Sequence, residues 1–151
     1  METTTSARTA DDVRARLIAD HRAMDVLFEK LLEDVHAGSD GDRQTSWARF
    51  ERALLDHIDA EEVYLLPVFE RKNPVEAAGI RQEHATLRHL LADMGVRLEL
   101  HAVREENVKR LVVALRTHAA REEALMYAAA DDLAPDLSAS LVRKLSAQRK
   151  R

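Results

Sequence analysis

Residues 53–62 read ALLDHIDAEE, and residues 114–123 read ALRTHAAREE. Both stretches follow the pattern A-L-x-x-H-x-x-x-E-E, and the apolar residues around them return every three or four positions, as on one face of an α-helix. Positions i and i+4 lie about 40° apart around a helix, so the histidine of each stretch projects beside the first glutamate. The two pairs are His57 with Glu61 and His118 with Glu122. Both pairs share the apolar face of their helix, which predicts that they point into a core.

A single histidine precedes each of these stretches on another helical segment. His21 is followed by apolar residues at the same offsets as His84. The matching residues are Met24, Leu27 and Leu31 after the first histidine and Leu87, Leu90 and Met94 after the second. The chain is therefore a twofold repeat of one helical hairpin, and each hairpin contributes one His and then one His-x-x-x-Glu pair.

Four long amphipathic segments joined by short polar stretches predict an all-α, up-down-up-down four-helix bundle. We expect a first helix from Thr9 or Asp11 to Gly38, a loop at 38–43, a second helix that Pro67 kinks or ends, a third opening at Asn73-Pro74, and a fourth from Glu105 or Asn107 to about 131–132. The bundle then covers about 11–132, with a short fifth helix at about 136–149. All of 1–151 is expected to form one domain.

Composition agrees with helices and excludes several classes of function. Hydrophobic residues make up 46% of the chain and aromatic residues 4%, with four glycines and three prolines. The net charge of −4 comes from mixed charges, so no basic surface for nucleic acid is expected. The chain has no cysteine, which excludes thiolate sites, and no stretch long and apolar enough to span a membrane is expected. The sequence predicts a cytoplasmic protein without membrane or nucleic-acid partners.

Buried carboxylates need a partner, and the sequence offers a metal site. Each uncompensated carboxylate in a core costs several kcal/mol, and no Lys or Arg recurs at this level of the four faces. Four imidazoles and two carboxylates on facing helices form an N/O cage for two ions. The predicted ligands are His21, His57, Glu61, His84, His118 and Glu122. We expect His21 and His57 on one ion, His84 and His118 on the other, and bridging carboxylates.

These residues resemble the hemerythrin-like family of the HHE cation-binding type. The resemblance covers about 11–130 and includes Tyr64-Leu65-Leu66-Pro67, which is similar to the family's apolar-proline end of helix two. It implies a non-haem di-iron centre with bridging carboxylates. Relatives bind dioxygen, sense iron or oxygen, or react with peroxide or nitric oxide. Iron is implied by the resemblance alone, because the same donors also suit zinc and manganese.

Two departures from the oxygen-carrying relatives affect the expected function. Arg88 stands where the carriers have a second histidine on helix three, and Glu123 stands where they have an aspartate on helix four. Glu122, four residues after the helix-four histidine, is better placed by angle than Glu123. Asp25 and Tyr64 are further candidate ligands, with a surface charge and a core aromatic as the alternatives.

The missing histidine leaves an open metal position, which favours reaction with peroxide or O2 over carriage. The alternative is a module that binds or senses O2, NO or iron without turnover. Asp20, Asp56 and Glu83 flank ligand histidines, and one alternative is that they orient an imidazole. Residues adjacent in sequence point elsewhere on a helix, so we interpret them as surface charges.

Overall fold

The computed structural model describes residues 2–38 and 40–147, and within these ranges it is helical throughout, without a strand. The helices are α1 (Glu2–Ala37), α2 (Asp40–Ala60), α3 (Leu66–Lys72), α4 (Pro74–Glu99), α5 (Glu105–Arg121) and α6 (Pro135–Ala147). Two π turns, Glu61–Leu65 and Glu122–Met126, and a 3-10 segment, Tyr127–Asp132, continue α2 and α5 without a break. The predicted all-α, hemerythrin-like bundle with a fifth helix is confirmed.

The first hairpin differs from its predicted boundaries at two places. α1 begins at Glu2 and not at Thr9 or Asp11, since the polar run before them contains no Gly or Pro that would stop a helix. It ends at Gly38 as predicted, and the φ of 73° at this glycine is a conformation that Gly adopts without strain. α2 already begins at Asp40, so most of the predicted loop at 38–43 is the first turn of a helix.

Pro67 does not end the second bundle helix, which runs on to Lys72. Proline removes an N–H donor and clashes with the preceding turn of a regular α-helix. Here the first π turn comes directly before it, and Pro67 lies in the first turn of α3, where a missing donor costs little. Of the two predicted alternatives, a kink or an end at Pro67, the helix end is wrong, because this local change of geometry accommodates the ring.

The second hairpin follows its predicted boundaries closely. α4 opens at Pro74, and α5 opens at Glu105 with the side chain of Asn107 accepting the Arg104 N–H at 3.0 Å. The 3-10 segment ends at Asp132. The predicted fifth helix at 136–149 is present as α6, and residues 148–151 lie outside the described part of the chain.

Apolar core residues form two clusters, one on each side of a polar layer. The first apolar cluster lies toward α6, which packs against α1 and α2, and includes Val13, Leu17, Leu65, Ile80, Met126 and Leu141. The second apolar cluster lies beyond the layer and includes Met24, Phe28, Phe50, Leu54, Leu91 and Leu111. The histidines and glutamates of the repeat occupy the level between them. Within the described ranges no helix combines the length and apolarity that crossing a membrane requires.

Candidate metal centre

The six predicted ligands meet in this polar layer. Glu61, His84 and Glu122 are fully buried, His57 and His118 are 2% and 5% exposed, and the His21 side chain is 9% exposed. Among the described residues they form two groups whose ligand atoms lie within 4.8 Å of one another. The groups are His21, His57, Glu61 and Glu122, and Glu61, His84, His118 and Glu122. The pairing agrees with the repeat, while metal binding by these side chains stays a prediction.

The two buried glutamates lie between the two histidine pairs. Glu61 Oε1 is 3.2 Å from His57 Nε2 and 3.7 Å from His84 Nε2. Glu122 reaches both sides, with Oε1 at 3.0 Å from His118 Nε2 and 3.2 Å from His21 Nε2, and Oε2 at 3.3 Å from His84 Nε2. Each carboxylate therefore lies between a histidine of the first hairpin and a histidine of the second.

An outer carboxylate contacts Nδ1 of every histidine in the layer. The contacts are His21 with Glu123 at 3.1 Å, His57 with Asp20 at 3.4 Å, His84 with Glu62 at 3.2 Å and His118 with Glu83 at 3.0 Å. A carboxylate accepts the Nδ1 proton, so the Nε2 lone pair of each neutral imidazole faces the centre. This orientation is typical of histidines that bind metal.

Our interpretation of Asp20 and Glu83 as surface charges was wrong. Each of them does point away from the histidine that follows it, but it points toward the histidine of the next bundle helix. The second glutamate of each repeat, Glu62 or Glu123, acts in the same way on the histidine of the other hairpin. These partners depend on contacts between helices. The periodicity of a single helix gives no information about such contacts.

Arginines hold three of the outer carboxylates in turn. Arg88 binds Glu62 at 2.6 Å, Arg121 lies 3.0 Å from Glu83, and Arg16 lies 3.6 Å from Asp20. Burial would raise the pKa of Glu62, but the hydrogen bonds and charges of Arg88 and His84 together outweigh burial and lower that pKa. Arg88 stands where the carriers have a histidine. It binds the outer carboxylate of Glu62, which in turn contacts His84.

The protonation of the inner groups follows from their neighbours. Burial alone would lower the pKa of His57, but the carboxylates of Glu61 and Asp20 outweigh it and raise that pKa to about 10. Burial would lower the pKa of His118, but the carboxylates of Glu122, Glu83 and Glu61 together outweigh burial and raise that pKa to about 8. Burial and the charge of Glu122 raise the pKa of Glu61, while hydrogen bonds from histidines overcome burial and lower the pKa of Glu122.

Several inner atoms lack a hydrogen bond, and a cation fits them. In the described part of the chain, both oxygens of Glu61, Nε2 of His118 and Oε1 of Glu122 are buried without a well-formed hydrogen bond, although imidazole and carboxylate atoms of the layer lie close to one another. Leaving such groups unpaired costs about 1–3 kcal/mol each, more when they are charged. All are lone-pair donors directed at one centre, so the residues present suit a pair of metal ions bound through N and O atoms.

Tyr127 also faces this centre, although the sequence did not indicate it. It is 2% exposed, and its Oη lies 2.9 Å from His21 Nε2 and 3.3 Å from His57 Nε2. In a regular α-helix a residue five positions after Glu122 would lie about 140° away from it. The second π turn closes this interval, because the Tyr127 N–H bonds to the Glu122 carbonyl. Only the recognition of a π turn would have found this tyrosine from the sequence.

The other candidates take different positions. Glu122 lies inside the layer and Glu123 is 39% exposed, in agreement with the preference for Glu122. Tyr64 is partly buried and packs against the first apolar cluster. Asp25 is exposed and lines the cavity described next.

A cavity of about 260 Å³ leads to the centre from the side of the second apolar cluster. His21, His57, His118 and Glu122 lie at its inner end, and Met24, Phe50, Leu54 and Leu115 are among its apolar lining residues. Exposed residues such as Arg22 and Arg116 also line it. Small molecules therefore have a path to both histidine pairs that avoids Tyr127, which is not a lining residue of this cavity.

A helical bundle whose polar layer presents inward His and Glu lone pairs defines a class of proteins built around a cation site. The chain belongs to the family described as Hemerythrin HHE cation binding domain, whose model matches residues 12–130. The predicted resemblance is thus confirmed over nearly the same range. Comparisons with curated proteins and with solved structures found no match.

Proposed function

We propose that the chain binds two iron ions, one between His21 and His57 and one between His84 and His118, with Glu61 and Glu122 bridging them. The observation that carries the proposal is the pair of four-donor groups that share these two buried carboxylates. Two carboxylates shared by two sites 4.8 Å or less across suit a pair of ions better than a single one.

Iron is proposed on the strength of family membership, and the donor set agrees with it. Imidazole and carboxylate bind ferrous and ferric iron, although zinc and manganese accept the same donors. A redox-active ion is also consistent with the cavity, because a small molecule that enters the cavity reaches the inner histidines and any ion that they bind. We therefore propose that O2, hydrogen peroxide and NO are the small molecules that bind at this site.

The reaction we propose is the consumption of peroxide or O2. In peroxide disproportionation two H2O2 give two H2O and one O2, and iron, when bound, supplies the exchange of electrons between them. The chain's own part is to orient the imidazoles through the outer carboxylates and to limit water through the apolar cavity wall. The alternative, binding or sensing of O2, NO or iron without turnover, uses the same site.

Reconstitution with iron tests both the proposed binding of two irons and the proposed reaction with peroxide. The protein is loaded anaerobically with Fe²⁺, freed of excess metal and analysed for iron, and then mixed with hydrogen peroxide while oxygen is recorded. We expect two irons per chain and rapid oxygen evolution. His57→Ala should lower both, and His89→Ala, which changes an exposed histidine, should change neither.

The outcomes separate the two functions. Two bound irons with a stable O2 or NO adduct and no peroxide turnover would favour the binding or sensing module. Less than one iron per chain after loading would overturn the di-iron proposal itself.

A further inference from the structure

We propose that the phenolate oxygen of Tyr127 is a ligand of the ion held by His21 and His57. This inference rests on the proposed binding of two ions. On binding, the Tyr127 O–H bond breaks, the oxygen donates an electron pair to the ion, and the proton leaves to solvent. The ion then has two imidazoles, two carboxylates and one phenolate from this chain.

The distances around this half of the centre fit one coordination shell. Ligands at about 2.1 Å from an octahedral metal lie about 3.0 Å from their neighbours. Tyr127 Oη is 2.9 Å from His21 Nε2 and 3.3 Å from His57 Nε2. The edges from these histidines to Glu122 and Glu61 are both 3.2 Å. All four separations are close to the spacing of adjacent ligands.

A role for Tyr127 as a hydrogen-bond donor alone explains fewer of these contacts. With a metal bound both imidazoles are neutral, and because the Nδ1 atoms of His21 and His57 both contact outer carboxylates, both Nε2 atoms then present lone pairs. One phenol proton can satisfy only one of these two lone pairs and none of those on the buried oxygens of Glu61 that lack a well-formed hydrogen bond. A cation satisfies all of them at once.

The phenol makes the two halves of the centre unequal. By the internal repeat, the position of Tyr127 in the first hairpin belongs to Leu66, which follows the first π turn and is fully buried. Leucine offers no ligand atom, so the ion at His84 and His118 has one protein ligand fewer. We therefore expect an incoming small molecule to bind at that ion, from the cavity that reaches His118.

Absorption and resonance Raman spectra of the ferric protein test the assignment. Phenolate bound to Fe³⁺ gives a charge-transfer band in the visible region, and excitation in that band enhances phenolate ring vibrations. The chain has two tyrosines, so Tyr64→Phe is a matched control for Tyr127→Phe. We expect the band in the wild type and in Tyr64→Phe, and its loss in Tyr127→Phe with two irons retained.

Other results overturn the inference. Two bound irons without a phenolate band in the wild type, or a band that persists in Tyr127→Phe, would contradict it while leaving the di-iron proposal intact. If Tyr127→Phe does not fold, wild type and Tyr64→Phe titrated with Zn²⁺ decide the point. Equal tyrosinate difference absorption in both supports Tyr127 as the ligand, and no such absorption with two zinc ions bound contradicts it.

Discussion

Glu61 is buried beside Glu122, and without a metal the burial and mutual repulsion of these two carboxylates are unfavourable for the charged form of Glu61. The raised pKa of Glu61 means that its charged form is less stable in the fold than in water. Glu61→Gln removes this unfavourable charge, but it also removes the carboxylate that contributes most to the raised pKa of His57. The two effects oppose each other, so the free energy of unfolding of the metal-free protein should change by less than about 1 kcal/mol, while metal binding should fall to at most one ion. Urea denaturation and metal analysis measure these two quantities.

Glu29→Gln, which changes an exposed carboxylate on α1, is the control and should leave both quantities unchanged. A loss of several kcal/mol of metal-free stability in Glu61→Gln would show that this carboxylate serves the fold and not a cation.

Because the pKa of His57 is raised, we expect a rise in pH to lower the stability of the metal-free fold and to increase metal affinity. Its pKa of about 10 in the folded metal-free protein lies above the unfolded value of about 6.5. The bound proton thus stabilises the fold fully below about pH 6.5, and this contribution disappears as the pH rises through about 10. Metal needs the neutral imidazole, so affinity should increase from about pH 6 to about pH 8, with protons released on binding.

Titration calorimetry with Zn²⁺ in buffers of different ionisation enthalpy measures the released protons. An affinity that is constant over this pH range, with no proton released, would contradict the prediction.

At the residue scale, the sequence predicted the six inner side chains because they follow helical periodicity within single helices. It did not predict the partners of Asp20 and Glu83, which depend on how neighbouring helices pack. Nor did it predict Tyr127, whose position depends on one π turn. Helical periodicity predicts neither how neighbouring helices pack nor where a helix departs locally from α geometry.

At the scale of elements, the two π turns occupy corresponding places in the repeat, each beginning at the inner glutamate. A π turn accommodates one extra residue while keeping the faces of the helix on either side. Removing one exposed residue from the turn should therefore restore a regular α-helix without turning Tyr127 away from the centre.

Deletion of Ala124, an exposed residue of the second π turn, tests this expectation. Two ions and the Tyr127 phenolate band should be retained, with the free energy of unfolding within about 1 kcal/mol of the wild type. Deletion of Val113, exposed within α5, is the matched control. It rotates Leu111 by about 100° relative to His118 and should cost several kcal/mol. Equal damage from the two deletions would contradict this account of the π turn.

At the scale of the whole molecule, the polar layer divides the core but does not have to hold it together. Apolar side chains pack on both sides of it, and α6 covers the end of the first apolar cluster. We propose that the bundle and α6 form one domain, since Leu141 and Leu145 belong to the same cluster as Leu17 and Leu65.

Metal should therefore stabilise a fold that already exists. A ligand at about 1,000 times its Kd adds about 4 kcal/mol to the free energy of unfolding. For a domain of this size that corresponds to an increase in Tm of about 8–16 °C. Circular dichroism of the metal-loaded and chelator-treated protein should show equal helicity at 25 °C and a Tm that falls by this amount on metal removal. Helicity that collapses on chelation would mean that the apolar clusters are insufficient. An unchanged Tm at full metal load would mean that the unfolded chain binds the ions as tightly as the folded chain, which contradicts a site assembled by the bundle.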